Sequence, residues 1–112
     1  MVDRMEKVHK EIMRVFGQVL QAEADLPPDM LVTVTRAAAS RNLRTSTVWL
    51  SVLPAEQGET VLTALQGQLY DLQGSFNRRV ALRPLPRLRL ALDPAAAYGA
   101  VLHTASRTLA GK

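Results

Sequence analysis

The sequence predicts an α+β domain in which helices cover one face of a three-stranded sheet and leave the other face relatively open. Three observations predict it. Apolar residues recur at three- and four-residue steps, then at two-residue steps, then at helical steps again. Prolines stand between the segments, at positions 27, 28, 54, 84, 86 and 94. The core material is aliphatic: 47% of residues are hydrophobic, but aromatics are only 4%. A chain of 112 residues with this composition fits one globular domain.

Residues 4–23 read as an amphipathic helix. Met5, Val8, Ile12, Val15, Phe16 and Val19 share one face, and Lys7, Lys10, Arg14, Gln18 and Gln21 lie nearly opposite. Pro27-Pro28-Asp29 ends this helix. Leu31-Val32-Thr33-Val34-Thr35 then alternates as a half-buried strand does, Ser40-Arg41-Asn42 is turn chemistry, and Thr45 to Val52 alternates again. Residues 31–53 therefore form an antiparallel hairpin. Val48, Leu50 and Val52 face the core; Thr47, Trp49 and Ser51 face outward beside Thr33 and Thr35.

After Pro54 a helix is expected from Glu56 to Gln73, burying Val61, Leu62, Leu65, Leu69 and Leu72. Gly67 and Gly74 weaken it by about 1 kcal/mol each relative to alanine. Gly74, where the charge changes sign, is read as a kink or helix–helix break, with a short helix following from Ser75 to about Ala81. Arg87-Leu88-Arg89-Leu90-Ala91-Leu92 alternates strictly, giving a strand with leucines inward and arginines outward. Asp93-Pro94 reads as the cap of a last helix, 95–109, and residues 110–112 as a frayed end.

Charge distribution points to the partner. The net charge is +4, yet residues 76–112 hold seven basic groups against one aspartate. Eleven of the fourteen basic residues are arginine, which forks onto phosphate and stacks on bases. A basic surface kept for solubility would give the same total, but the one-sided distribution favours a polyanion. Several other classes are disfavoured. There is no cysteine, so no disulfide, thiol chemistry or cysteine zinc site is expected. His9 and His103 lie far apart and read as ordinary surface residues, with no metal or nucleophile–base spacing. No apolar run approaches the roughly 20 residues that span a bilayer, and the charged start Met1-Val2-Asp3-Arg4 lacks an export core. The expectation is a non-catalytic, cytoplasmic, monomeric protein without cofactor, metal, membrane or small-molecule substrate.

The order and spacing of several short runs carry a resemblance. They are Leu31-Val32-Thr33-Val34-Thr35, Ser40-Arg41-Asn42-Leu43 and Val48-Trp49-Leu50, with Arg4, Lys7-Val8, Glu11-Ile12 and Leu20 before them and Leu69, Gly74, Pro86, Leu88, Asp93 and Gly99 after. In these the chain resembles the ribosome-binding factor A family over about residues 4–109. The resemblance implies a KH-like fold in which an Ala-x-Gly helical kink replaces the Gly-x-x-Gly phosphate loop. Here that kink reads Leu72-Gln73-Gly74, the family's arginine after it aligns with Asn77, and Pro86-Arg87-Leu88 reverses a charge. The implied function is assembly of the small ribosomal subunit: binding the RNA of the immature particle near the neck and decoding side, and leaving on maturation.

On this reading the candidate RNA contacts are Arg78 and Arg79 with Asn77 and Gly74 at the kink; Arg41 and Arg44 at the hairpin turn; Arg87 and Arg89 on the last strand; and the helical stripe Lys7, Lys10 and Arg14. If the sheet order brings Arg87 and Arg89 to Trp49, the favoured reading is that their aliphatic stems cover the indole, and the other is a surface for stacking a base. Each of these charges also has a plain reading as a solvated surface group. Two other functions remain open: a KH-like module for single-stranded nucleic acid in general, and a protein-interaction module using the open sheet face or a strand edge.

Overall fold

The computed structural model of the chain describes residues 3–94. Among these, helix α1 (Arg4–Glu23) leads into strands β1 (Leu31–Ala39) and β2 (Thr45–Leu53). A single 3-10 turn, Ala55–Gln57, precedes helices α2 (Gly58–Gly67) and α3 (Leu69–Arg79), and strand β3 (Arg87–Leu92) follows. The expected last helix, 95–109, and the frayed tail fall outside the described residues, while Asp93, expected as its cap, is described and accepts from the Thr35 hydroxyl.

The sheet order is β1-β2-β3, with β1 and β2 antiparallel and β2 and β3 parallel. The parallel pairing follows from the long crossover through α2 and α3, which returns the chain to the same end of the sheet. All helices pack on one face. From α1, Val8, Ile12, Val15, Phe16, Val19 and Leu20 are buried, against β1 and α3. The inward residues of the sheet, among them Val48, Leu50, Leu88 and Leu90, meet Val61, Leu65, Leu72 and Phe76. Phe16 and Phe76 close the middle of this core edge to face, with ring centroids 6.4 Å apart.

The helix break is not at Gly74. Helix α3 runs straight through that glycine, and the chain turns at Gln68, six residues earlier, whose φ and ψ are −101° and 0°. The cause is a tertiary clamp. The Gln68 side chain accepts from the Asp25 N–H (2.8 Å) and donates to the Asp25 carbonyl (2.7 Å), pinning the break to the loop after α1. Continuity through Gly74 then keeps Leu72 and Phe76 on one buried face. Gln68→Ala should lower stability by about 1 kcal/mol, since the clamp is solvent-accessible; a urea titration would measure it.

The reading of His9 as an ordinary surface histidine also needs correction. Its Nε2 accepts a hydrogen bond from the Ala39 N–H at 3.0 Å and fastens α1 to the end of β1.

Register in the hairpin departs from strict alternation. Val34 pairs with Leu50 but Arg36 with Trp49, so Thr35 is the extra residue of a β-bulge. Its hydroxyl contacts the Trp49 carbonyl (3.3 Å) and the Asp93 carboxylate (2.8 Å). Beyond the bulge, Ala37 takes the inward place and Arg36 the outward one.

Candidate nucleic-acid interface

The hairpin turn is a compact, self-bonded unit. Ser40 N–H donates to the Thr45 carbonyl (2.8 Å), and Asn42 Oδ1 accepts from the Ser40 hydroxyl (2.7 Å) and the Arg44 N–H (3.0 Å). Leu43 adopts the left-handed region (φ 60°) and is partly buried against the core. These bonds occupy the polar groups of the turn, leaving Arg41 and Arg44 exposed on a fixed backbone.

Beside the turn lies the start of β3. The Arg87 N–H donates to the Arg44 carbonyl at 2.8 Å, which brings the two arginines alongside each other from segments far apart in sequence. Gln73 of α3 locks the third side. Its amide donates to the Pro86 carbonyl (3.0 Å) and to Asn77 Oδ1 (2.9 Å), and its oxygen accepts from the Leu88 N–H (2.8 Å). With Oδ1 taken by Gln73, Asn77 keeps its Nδ2 donors without a partner among the described residues. Arg44, Thr45, Gln73, Asn77, Leu85, Pro86 and Arg87 line an open cleft of about 530 Å³. No acidic side chain lines it. Two arginines and an asparagine among the lining residues supply donor types that suit phosphate oxygens.

The structure divides the remaining candidates. Arg79 is ion-paired with Glu23 (3.2 Å), and Arg78 donates to the Ser75 hydroxyl (3.0 Å), which itself donates to Glu23. The end of α3 is therefore less positive than Arg78-Arg79 alone suggests. Gly74 leaves open space: a Cβ there would meet only the Arg78 guanidinium, at 3.5 Å. It borders a second cavity of about 500 Å³ with Asn77, Arg78, Glu23 and Tyr70, the last 90% exposed. Lys7, Lys10 and Arg14 line neither cavity, and Arg14 is held by Glu11 at 3.0 Å. Arg41 lies in the turn three positions before Arg44. Arg89 is exposed on the outer sheet face, paired beside Thr47 rather than Trp49.

Sequence reasoning missed three things here. Gln73, the bracket of the cleft, had no signal, because its bonds go to backbone 13 and 15 residues away. Tyr70 was passed over although it stands one helical turn from Gly74. The arginine that covers Trp49 is Arg36, with its guanidinium carbon 4.1 Å from the ring centroid, not Arg87 or Arg89. Among the described residues no cluster of histidine, aspartate or glutamate suits a metal ion, and no helix is long and apolar enough to cross a membrane.

Comparison with known proteins agrees with this architecture. The ribosome-binding factor A family profile matches residues 4–105. The chain is 31% identical over 96 residues to ribosome-binding factor A of Akkermansia muciniphila, covering 86% of this chain and 76% of that protein. It is 27% identical over 103 residues to the Acetivibrio thermocellus protein of the same name, covering 90% and 84%. The crystal structure of ribosome-binding factor A from Thermus thermophilus superposes with a TM-score of 0.68 at 26% identity, over 80% of this chain and 97% of that one. A homology model of the Thermus thermophilus factor, fitted into a cryo-EM map of its complex with the 30S subunit, gives 0.64 at 27% identity, over 78% and 92%. The three-stranded mixed sheet with helices on one face is thus the KH-like α+β fold of these proteins, and the chain belongs to the ribosome-binding factor A family.

Proposed function

We propose that this chain is an assembly factor that binds the RNA of the immature small ribosomal subunit and assists its late maturation, acting as a single domain and by binding rather than catalysis. The observation that carries this reading is the cleft lined by Arg44, Arg87 and Asn77 with no acidic lining residue. The fit of a family member into a 30S complex supplies the class of partner. Arg41 at the turn and Arg78 beside Gly74 extend the cationic rim, with Arg89 farther along β3. Arg79, Lys7, Lys10 and Arg14 are peripheral. Such a surface reads backbone shape more than base sequence. Higher affinity for the immature arrangement than for the mature one delays or guides the last rearrangement and releases the factor afterwards.

Co-sedimentation with immature small subunits, mature small subunits and whole ribosomes tests this. Selective binding to the immature particle is expected. With about four phosphate contacts, log K should fall with log salt at a slope of roughly −3 to −4. Absence of binding to every particle overturns the reading. Binding that survives high salt and nuclease treatment would replace RNA with a protein partner.

A further inference from the structure

The outer face of the sheet, away from the helices, carries an unusual pairing of charge and surface. None of the three strands contains an acidic residue. Arg36, Arg87 and Arg89 all point outward and are exposed, and none has an ion-pair partner among the described residues. Asp93, just after β3, is only 6% exposed and accepts a hydrogen bond from the Thr35 hydroxyl. Between the arginines the surface is low: Thr47 and Ala91 flank Trp49, and Ala38 lies across from Thr47.

At the centre, the Arg36 guanidinium lies over the half-buried Trp49 ring at 4.1 Å. This cation–π contact restrains a normally mobile planar fork, and Arg36 remains exposed to solvent. A flat cation preorganised in this way is a platform for an unstacked base. The face is also continuous with the cleft, because Arg87 lines the cleft and begins the strand that carries Arg89 and Ala91. Arg87 to Ala91 spans roughly 13 Å along the strand.

We propose that this outer face is a second RNA contact. An unpaired segment leaving the cleft passes Arg87 and Arg89 and stacks one base on the Arg36–Trp49 platform. The inference rests on the RNA reading above but uses residues outside the cleft for its recognition step. The platform needs an unstacked nucleotide, since bases inside a duplex are already stacked on both faces.

Trp49 is the only tryptophan, so emission from the full-length protein reports on this site alone. Titration with a short oligouridylate should quench that emission, and a duplex RNA of the same length should not. Arg36→Ala should weaken oligouridylate binding about tenfold, measured by anisotropy of labelled RNA, as expected for loss of one stacked base. Arg36→Lys, which keeps the charge and loses the plane, should weaken it nearly as much while far-UV circular dichroism stays unchanged. The proposal is overturned by unchanged Trp49 emission at saturating oligouridylate, by equal quenching with duplex, or by wild-type affinity in both Arg36 variants. Emission that shifts with protein concentration alone would assign the face to a second copy of the chain and overturn it too. Failure here is separable from failure of the cleft. If Arg36→Ala co-sediments like the wild type while Arg44→Ala with Arg87→Ala does not, the sheet face falls and the cleft stands. If the wild type binds no particle, the assembly-factor reading itself falls.

Discussion

Arg44→Ala combined with Arg87→Ala is expected to lower affinity for immature small subunits by roughly 30- to 100-fold, without disturbing the fold. Each charge-assisted contact to phosphate that is lost should cost about 1–1.5 kcal/mol, and each 1.4 kcal/mol is tenfold in affinity. Both side chains are exposed. The bond that joins their segments runs from the Arg87 N–H to the Arg44 carbonyl, so alanine retains it. The salt slope should become shallower by about 2, the signature of two released counterions. Arg14→Ala is the matched control. It removes a basic residue already paired with Glu11 and remote from the cleft, and should change affinity less than twofold. Quantitative co-sedimentation over a salt series checks both. Equal losses in the two variants would show that net charge, not the cleft, drives binding.

The largest effect on stability is expected at Phe76. Its ring is fully buried and packs edge to face on Phe16 at an interplanar angle of 64°. Phe76→Ala removes a large apolar surface, leaves a cavity between α1 and α3, and abolishes the ring pair. Such changes cost about 3–5 kcal/mol, against a typical total of 5–15 kcal/mol for a domain. Phe76→Leu, which fills most of the space, should cost about half as much. Chemical denaturation followed by circular dichroism measures both. Asn77 and Arg78 follow Phe76 in the same helical turn. RNA binding by the alanine variant should therefore fall further than its unfolded fraction accounts for.

Much of the architecture was legible because periodicity reports burial directly. In β2, Val48, Leu50 and Val52 alternate with Thr47, Trp49 and Ser51, and that alternation is the burial pattern found. In β3 the leucines are inward and the arginines outward, as the repeat requires. Parallel pairing with β2 was not legible, because strand order depends on how the crossover packs and not on any residue within β3.

Two features depart from what local sequence preference alone would give, and in both a wider contact overrides that preference. Gly74 is the residue that local propensity would choose for a helix break, yet the break is held at Gln68 by hydrogen bonds to Asp25, 43 residues away. Strict alternation from Val32 and Val34 would place Arg36 inside the core. The Thr35 bulge turns it outward, and no residue type at that position signals an inserted residue. For the candidate site, residue type was informative and pairing was not. Arginine-rich composition singled out Arg44 and Arg87 as candidates, but their adjacency comes from the pairing of distant segments. The neutralising role of Glu23 at Arg79 likewise appears only when α1 and α3 are packed together.

The cleft is assembled from a hairpin turn, a helix and the third strand, and the β2–β3 ladder, the Arg87–Arg44 backbone bond and the Gln73 bracket hold its parts together. A nascent or partly unfolded chain holding only α1 and the hairpin has Arg41 and Arg44 but no cleft. Such a chain meets RNA with isolated charges, and screening at cellular ionic strength weakens those contacts. If the cleft is the contact proposed above, competence to bind arrives with the docking of β3. Molecules that have failed to complete the fold would then compete poorly for the maturing particle, and the hydrogen bonds that shape the site would also act as its quality check.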